Sequence, residues 1–383
     1  MAGGGQVSAA IDEESYARAA FSYLAEPGDL RLGGLIRACG AASTLAAIKA
    51  GELPDPASAG AAAMRAMRRW RVRLAEVPSP DEVADFCRTG IRLVCPGDPE
   101  WPAQLSDLGD GQPYALWLRG RADLRFSCLR SVAIVGSRAA TAYGSYVASE
   151  LAASVAARGW AVISGGAYGV DAAAHRGALG ADGVTVAVLA CGVDVPYPVG
   201  HTELLDAIAA QGLVVSEWPP GANATRLRFL VRNRVIAALA PGTLVIEAGQ
   251  RSGALNSARH ARDLNRRLMA VPGPVTSDLS AGCHYLIREW QGTLVTSAAE
   301  VIECLSPIAA GSAQALPAAL GRDALDQETA AVLDALPARR GMGPGRIGHQ
   351  AGLEPGTVLR CLGALAAAGF AERCEGGWRL RRT

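Results

Sequence analysis

From Ser131 onward the chain repeats one rhythm: a short apolar run rich in β-branched residues, a turn of small residues, then a stretch with helical spacing. The runs predict strands over 131–136, 160–164, 184–190, 213–217, 243–248 and 268–271, with helices near 141–158, 171–180, 202–211, 231–240 and 253–265. Strands that read as continuous hydrophobic runs, not as alternating ones, are covered on both faces. The fold expected is therefore α/β, with a doubly wound, mostly parallel sheet. A further helix over 283–290 and a last strand over 292–295 close this part. Before it, Tyr114–Leu118 predicts one added strand, reached through a turn-rich connector from Val77 to Pro102.

The flanks have other patterns. From Ser15 to Leu74, alanine, leucine and arginine recur at helical spacing, broken at Pro27-Gly28-Asp29, Gly33-Gly34 and Pro54-Asp55-Pro56, which predicts a small bundle of short helices. Four units follow: a helical N-terminal domain over 1–85, the α/β domain over 86–305, a linker rich in Ala, Gly and Pro over 306–325, and a last domain over 326–383. In the last, three helical stretches precede a Glu375-Gly376-Gly377 hairpin, the order of a helix-turn-helix with a wing. Its third helix carries only Arg360 on a face otherwise made of Thr357, Leu359, Leu362, Leu365 and alanines, a composition that suits protein docking or weak phosphate contact at least as well as base reading.

Charge narrows the function. A net charge of +1 over 383 residues excludes a uniformly basic coat protein, so any polyanion must meet a local concentration of charge. One exists: Arg226, Arg228, Arg232 and Arg234 lie within nine residues and no acid separates them. The run Arg65, Arg68, Arg69, Arg71 and Arg73 reads instead as a solvated helix face. Nine cysteines without a CxxC pair read as reduced packing residues. Met1–Asp12 has neither a basic nor an apolar leader region, and no run of about 18 apolar residues occurs, so a cytoplasmic protein without a membrane partner is expected. Lys49 is the only lysine and follows no Gly-rich loop, which excludes a Walker A phosphate site.

The candidate chemistry gathers where strands hand over to helices. Gly136-Ser137-Arg138 offers close backbone approach, hydroxyl and amide donors, and a guanidinium fork for a phosphate. Ser164-Gly165-Gly166 and Ser252-Gly253 are equivalent anion sites along the same sheet edge. A dinucleotide fingerprint needs Gly-x-Gly-x-x-Gly and an acid at the tip of the second strand; neither is present, so neither NAD nor FAD is expected and no other cofactor is called for. Asp171 reads as a helix N-cap with His175 bonding back to the helix start, and not as a catalytic pair. The histidines show no metal-ligand pairing. Pro241-Gly242-Thr243 with Glu247 echoes a phosphate loop of nucleotide N-glycosidases, the main enzymatic rival, but the apolar run before Glu247 puts that acid at the end of a strand instead of the start of a helix.

Taken in order, Ile134–Arg138 with Thr141–Gly144, Ser164–Asp171 with Ala174-His175-Arg176, Gly192-Val193-Asp194 with Tyr197-Pro198, Ser216-Glu217, Phe229 with Arg232–Ala237, Glu247 with Ser252-Gly253, and Val271-Pro272-Gly273 closely resemble the DNA-processing protein A (DprA/Smf) family. The resemblance covers nearly the whole chain. It implies an extended Rossmann-like domain that binds single-stranded DNA, forms a homodimer, carries no catalysis, and helps load the RecA recombinase on incoming strands, coated by single-strand-binding protein, in natural transformation. The flanking helices and winged helix resemble the family's appendages, the first of them SAM-like. By motif, Gly136, Ser137, Arg138, Ser164, Gly165, Gly166, Phe229, Arg232, Asn233, Arg234, Ser252 and Gly253 would line the DNA pocket, and the charge of Arg226 and Arg228 adds them to it. Leu230 stands where the family usually has proline, His201 where it has asparagine, and Asn256 where it has an apolar residue.

Overall fold

A computed structural model describes residues 11–52, 60–306, 325–338, 340–367 and 369–381. The linker and the Pro54 break expected above lie outside the described residues, as does nearly all of the leader region. Five helices come first: α1 (Glu13–Leu24), α2 (Leu30–Cys39), α3 (Ala41–Ala50), α4 (Ala61–Val72) and α5 (Pro80–Arg88). Asp12 and Asp29 cap α1 and α2 through their carboxylates. The expected break at Gly33-Gly34 is absent. Helix α2 runs through both, and a side chain at Gly33 would strike the backbone carbonyl of Asp110, so the glycine there serves close packing and not a turn.

The α/β part contains β1 (Ile91–Val94), β2 (Leu116–Gly120), α6 (Leu124–Leu129), β3 (Ser131–Val135), α7 (Ala142–Ala156), β4 (Ala161–Ser164), α8 (Val170–Gly180), β5 (Thr185–Val188), α9 (Thr202–Gln211), β6 (Leu213–Ser216), α10 (Arg226–Leu239), β7 (Gly242–Val245), α11 (Gly253–Asp263), β8 (Arg267–Ala270), α12 (Ala281–Glu289), β9 (Thr293–Leu294) and α13 (Ala298–Leu305). Its nine strands lie in the order β1-β2-β6-β5-β4-β3-β7-β8-β9. Strand β3 pairs in parallel with β4 on one side and β7 on the other, so the chain order reverses there. Such a switch point leaves a crevice beyond the carboxyl ends of the strands. Strand β2 runs antiparallel to β6, and β1 antiparallel to β2.

Both faces of the sheet are covered, as the continuous apolar runs require. In β3, Ala133 and Val135 point into a core shared with α10, α11 and α12, while Val132 and Ile134 point into one shared with α7, α8 and α13. Four elements escaped the sequence pattern: helices α5 and α6, strand β1 and helix α13. Strand β1 is a four-residue edge strand between turns, too short to establish a period. Helix α13 opens on a capping box of Ser297 and Glu300 and buries Ala298, Val301 and Leu305 along one face.

The described C-terminal residues form α14 (Gln327–Ala335), α15 (Pro344–Ala351), α16 (Pro355–Ala367) and a hairpin of β10 (Ala371–Cys374) with β11 (Gly377–Leu380). Arg360, the lone cation of α16, pairs with Glu328 at 2.6 Å. Phe370 stacks on Phe126 with ring centres 5.1 Å apart and lies under the Arg125 guanidinium at 3.6 Å, which seats this unit on the sheet domain. Among the described residues no helix is long and apolar enough to cross a membrane.

Candidate nucleic-acid interface

The three small-residue turns foreseen from the sequence do meet at one sheet edge, at the switch point. After β3, the Ser137 amide donates to the Glu247 carbonyl at 2.8 Å, and the Ser137 hydroxyl accepts from Ala139 N at 3.2 Å, so this serine is buried and shapes its own turn. Thr141 caps α7 and at the same time donates its amide to Glu247 Oε2 at 2.9 Å and its hydroxyl to Glu247 Oε1 at 2.6 Å. A side chain on Gly144 would collide with that carboxylate. Glu247 is thus a buried clamp between the β7 end and the α7 start, both oxygens taken.

After β4, Ser164 is fully buried and donates to the Ile134 carbonyl at 2.6 Å. Gly165 offers its carbonyl to Arg232 Nη1 at 2.7 Å, and Gly166 offers its own to His201 Nδ1 at 3.0 Å. After β7, Ser252 caps α11, while the Asn233 amide group reaches Gly253 O at 3.4 Å and Asn256 Oδ1 at 3.1 Å. The polar Asn256 therefore has a buried asparagine as its partner.

Asp171 and His175 differ from the expectation in detail. The N-cap of α8 is Gly169, at φ +76°, so the helix starts one residue early and Asp171 falls inside its first turn, accepting from Ala167 N at 3.4 Å. His175, fully buried, turns toward the sheet and not toward the helix start: its Nδ1 lies 2.7 Å from Thr185 Oγ1. Since that hydroxyl donates to the Val162 carbonyl, it accepts from His175, which places the proton on Nδ1. Nε2 is left buried with no partner among the described residues, and burial, with Arg232 nearby, pulls the imidazole from 6.5 down to about 3. Only the unfolded chain then binds this proton between those limits. Stability is accordingly expected to hold above about pH 6.5 and to fall toward pH 3 by at most about 1.4 kcal/mol per pH unit from this group. Denaturant midpoints measured across that range check it; a His175→Gln variant with the same acid slope would refute it.

The arginine cluster does not form one exposed patch. Helix α10 begins at Arg226, five residues before the predicted start, and its turns send the arginines in different directions. Arg226 is exposed. Arg228 makes a two-pronged ion pair with Glu26, at 3.0 and 2.7 Å, and donates to Asn223 O. Arg232 is buried, donating to the carbonyls of Gly165 and Val188 at the ends of β4 and β5; burial draws its guanidinium down to about 10. Arg234 is buried against Glu217 at 2.6 Å. Arg138 is exposed at the crevice, and its guanidinium stands 4.5 Å from the ring centre of the half-buried Phe229. Glu26, Glu217 and Trp218 were not foreseen as partners of this cluster. Glu26 and Arg228 lie 202 residues apart, a separation over which spacing carries no signal.

A model of the family described as DNA recombination-mediator protein A matches residues 92–306, more than half of the chain. The chain belongs to the DNA recombination-mediator protein A family. Its relatives in that family include the Mycobacterium tuberculosis H37Rv protein that carries the name DNA processing protein DprA, 43% identical over 97% of this chain and 96% of that one. The crystal structure of DprA from Streptococcus pneumoniae matches with a TM-score of 0.61 and 29% identity, over 77% of this chain and 98% of that one. DNA processing protein A from Helicobacter pylori, whose structure concerns its single-stranded DNA binding mode, matches with a TM-score of 0.51 and 28% identity, over 56% of this chain and 95% of that one. The DNA recombination-mediator protein A match begins inside β1, which with β2 forms one edge of the nine-stranded sheet.

Proposed function

We propose that this protein binds single-stranded DNA in the switch-point crevice and acts there as a recombination mediator and not as an enzyme. The observation that carries the reading is the exposed Arg138 guanidinium, braced on the Phe229 ring between amide-rich turns, a phosphate contact set among aromatic side chains. Gly136, Gly165, Gly166, Ser252 and Gly253 would offer backbone donors, and Arg226 further charge. In this reading Ser137, Ser164, Arg232, Asn233 and Arg234 shape the crevice from beneath. The N-glycosidase rival needs a free acid, and both oxygens of Glu247 are engaged by Thr141.

By the family's role, the mediator would work as a homodimer that protects incoming strands in natural transformation and speeds RecA nucleation on strands coated with single-strand-binding protein. A monomer by light scattering, or no shortening of the RecA lag, would count against these parts. The DNA reading is tested by titrating an oligo-dT series, duplex DNA and a mononucleotide. Affinity is expected to rise with strand length and to exceed that for duplex; a mononucleotide preferred over oligo-dT would favour the rival. Arg138→Ala is expected to weaken oligo-dT binding and to flatten the log–log salt slope by about 0.7, one contact's share, with an unchanged melting temperature.

A further inference from the structure

Phe229 is not a free platform. Arg138 lies over its ring, and Tyr197 packs on it with centres 5.4 Å apart and planes inclined at 47°. Two neighbouring tyrosines are far more open. Tyr197 is 43% exposed and Tyr168 51% exposed, each in the loop that follows a central parallel strand. Arg138 follows β3, Tyr168 follows β4 and Tyr197 follows β5, and these three strands are adjacent, about 4.8 Å apart from one to the next. Tyr168 is also fixed. Its ring meets the buried His201 in a T-shaped contact, centres 4.5 Å apart, and His201 is itself anchored on the Gly166 carbonyl. Gly200 leaves room for the Tyr168 hydroxyl, which a side chain there would press. A half-open ring held from behind is a pre-organised stacking surface, with little rotamer freedom left to lose on binding.

We infer that Tyr168 and Tyr197 are base-stacking residues that carry a single strand from Arg138 across the ends of β4 and β5, with Phe229 as the residue that positions both Arg138 and Tyr197. The inference rests on the DNA reading above and gives the strand a direction, toward the antiparallel β6–β2 side of the sheet. His201, packed on the Tyr168 ring and anchored on the Gly166 carbonyl, then acts through Tyr168 as a positioning residue.

The test is oligo-dT binding by Tyr168→Ala, Tyr168→Phe and Tyr146→Ala, the last a control on the solvent face of α7, where Tyr146 is 69% exposed. Tyr168→Ala is expected to bind about 5- to 100-fold more weakly with an unchanged salt slope, because a ring and not a charge has been lost. Tyr168→Phe and Tyr146→Ala are expected to match the wild type. Ultraviolet crosslinking to an oligonucleotide carrying 5-bromodeoxyuridine is expected to label Tyr168 or Tyr197. Normal binding by Tyr168→Ala, with labels confined elsewhere, would overturn this inference and leave the DNA reading intact. Failure of the wild type to bind oligo-dT would overturn the reading and this inference with it.

Discussion

Replacing Arg234 by alanine is expected to cost about 3–5 kcal/mol of stability, the penalty for stranding one member of a buried ion pair. Its partner Glu217 has a side chain only 2% exposed, and burial raises the Glu217 carboxyl above its ordinary value even with the guanidinium beside it. The pair is also incompletely satisfied: among the described residues Arg234 Nε and Nη1 and Glu217 Oε2 have no hydrogen-bond partner. Glu217→Ala is expected to lose a similar amount. The double variant Arg234→Met/Glu217→Leu, which leaves no charge behind, is expected to stand nearer the wild type than either single variant. Unfolding in denaturant measures all three. Additive losses in the double variant would mean that the two side chains do not depend on one another.

Arg232→Met is expected to damage stability and DNA binding together. The guanidinium reaches under the sheet edge to the carbonyls of Gly165 and Val188, and a side chain on Gly165 would collide with it. Methionine fills similar space but donates nothing, so two buried carbonyls lose their donor at about 1–3 kcal/mol each, and the buried Asp171 loses its neighbouring cation. The Gly165-Gly166 turn would then be free to shift. Arg138→Ala, by contrast, is expected to spare stability. If Arg232→Met melted like the wild type and lost only salt slope, this arginine would be a phosphate ligand and not a support.

The contrast between these arginines shows what could be read in the sequence. The central parallel strands were legible because they are buried on two faces and so are almost wholly apolar, as in Val132–Val135. The three small-residue turns were legible because they follow those strands. The start of α10 was not: Arg226, Leu227 and Arg228 form a first turn without apolar spacing, and Leu227 is 73% exposed. A helix read from Val231 leaves Arg226 and Arg228 in a loop, where both could face a ligand; a helix from Arg226 distributes all four arginines around its axis. Which of them remain free depends on Glu26 and Glu217, residues that folding brings near and the local pattern does not.

The Glu26–Arg228 pair has a consequence for the whole molecule. Glu26 belongs to the loop between α1 and α2, and it also accepts from Trp218 Nε1 at 3.0 Å. Burial alone would raise its carboxyl, but the bonds from Arg228 and Trp218 outweigh that and hold it below its ordinary value, so the acid stays charged at neutral pH. The helical bundle therefore already presents an anion to the first turn of α10, one residue from Phe229. A polyanion that draws on Arg228 must displace this carboxylate, which makes bundle seating and ligand occupancy competing equilibria. Their coupling is reciprocal: by whatever factor a bound strand loosens the bundle, a tighter bundle weakens the strand.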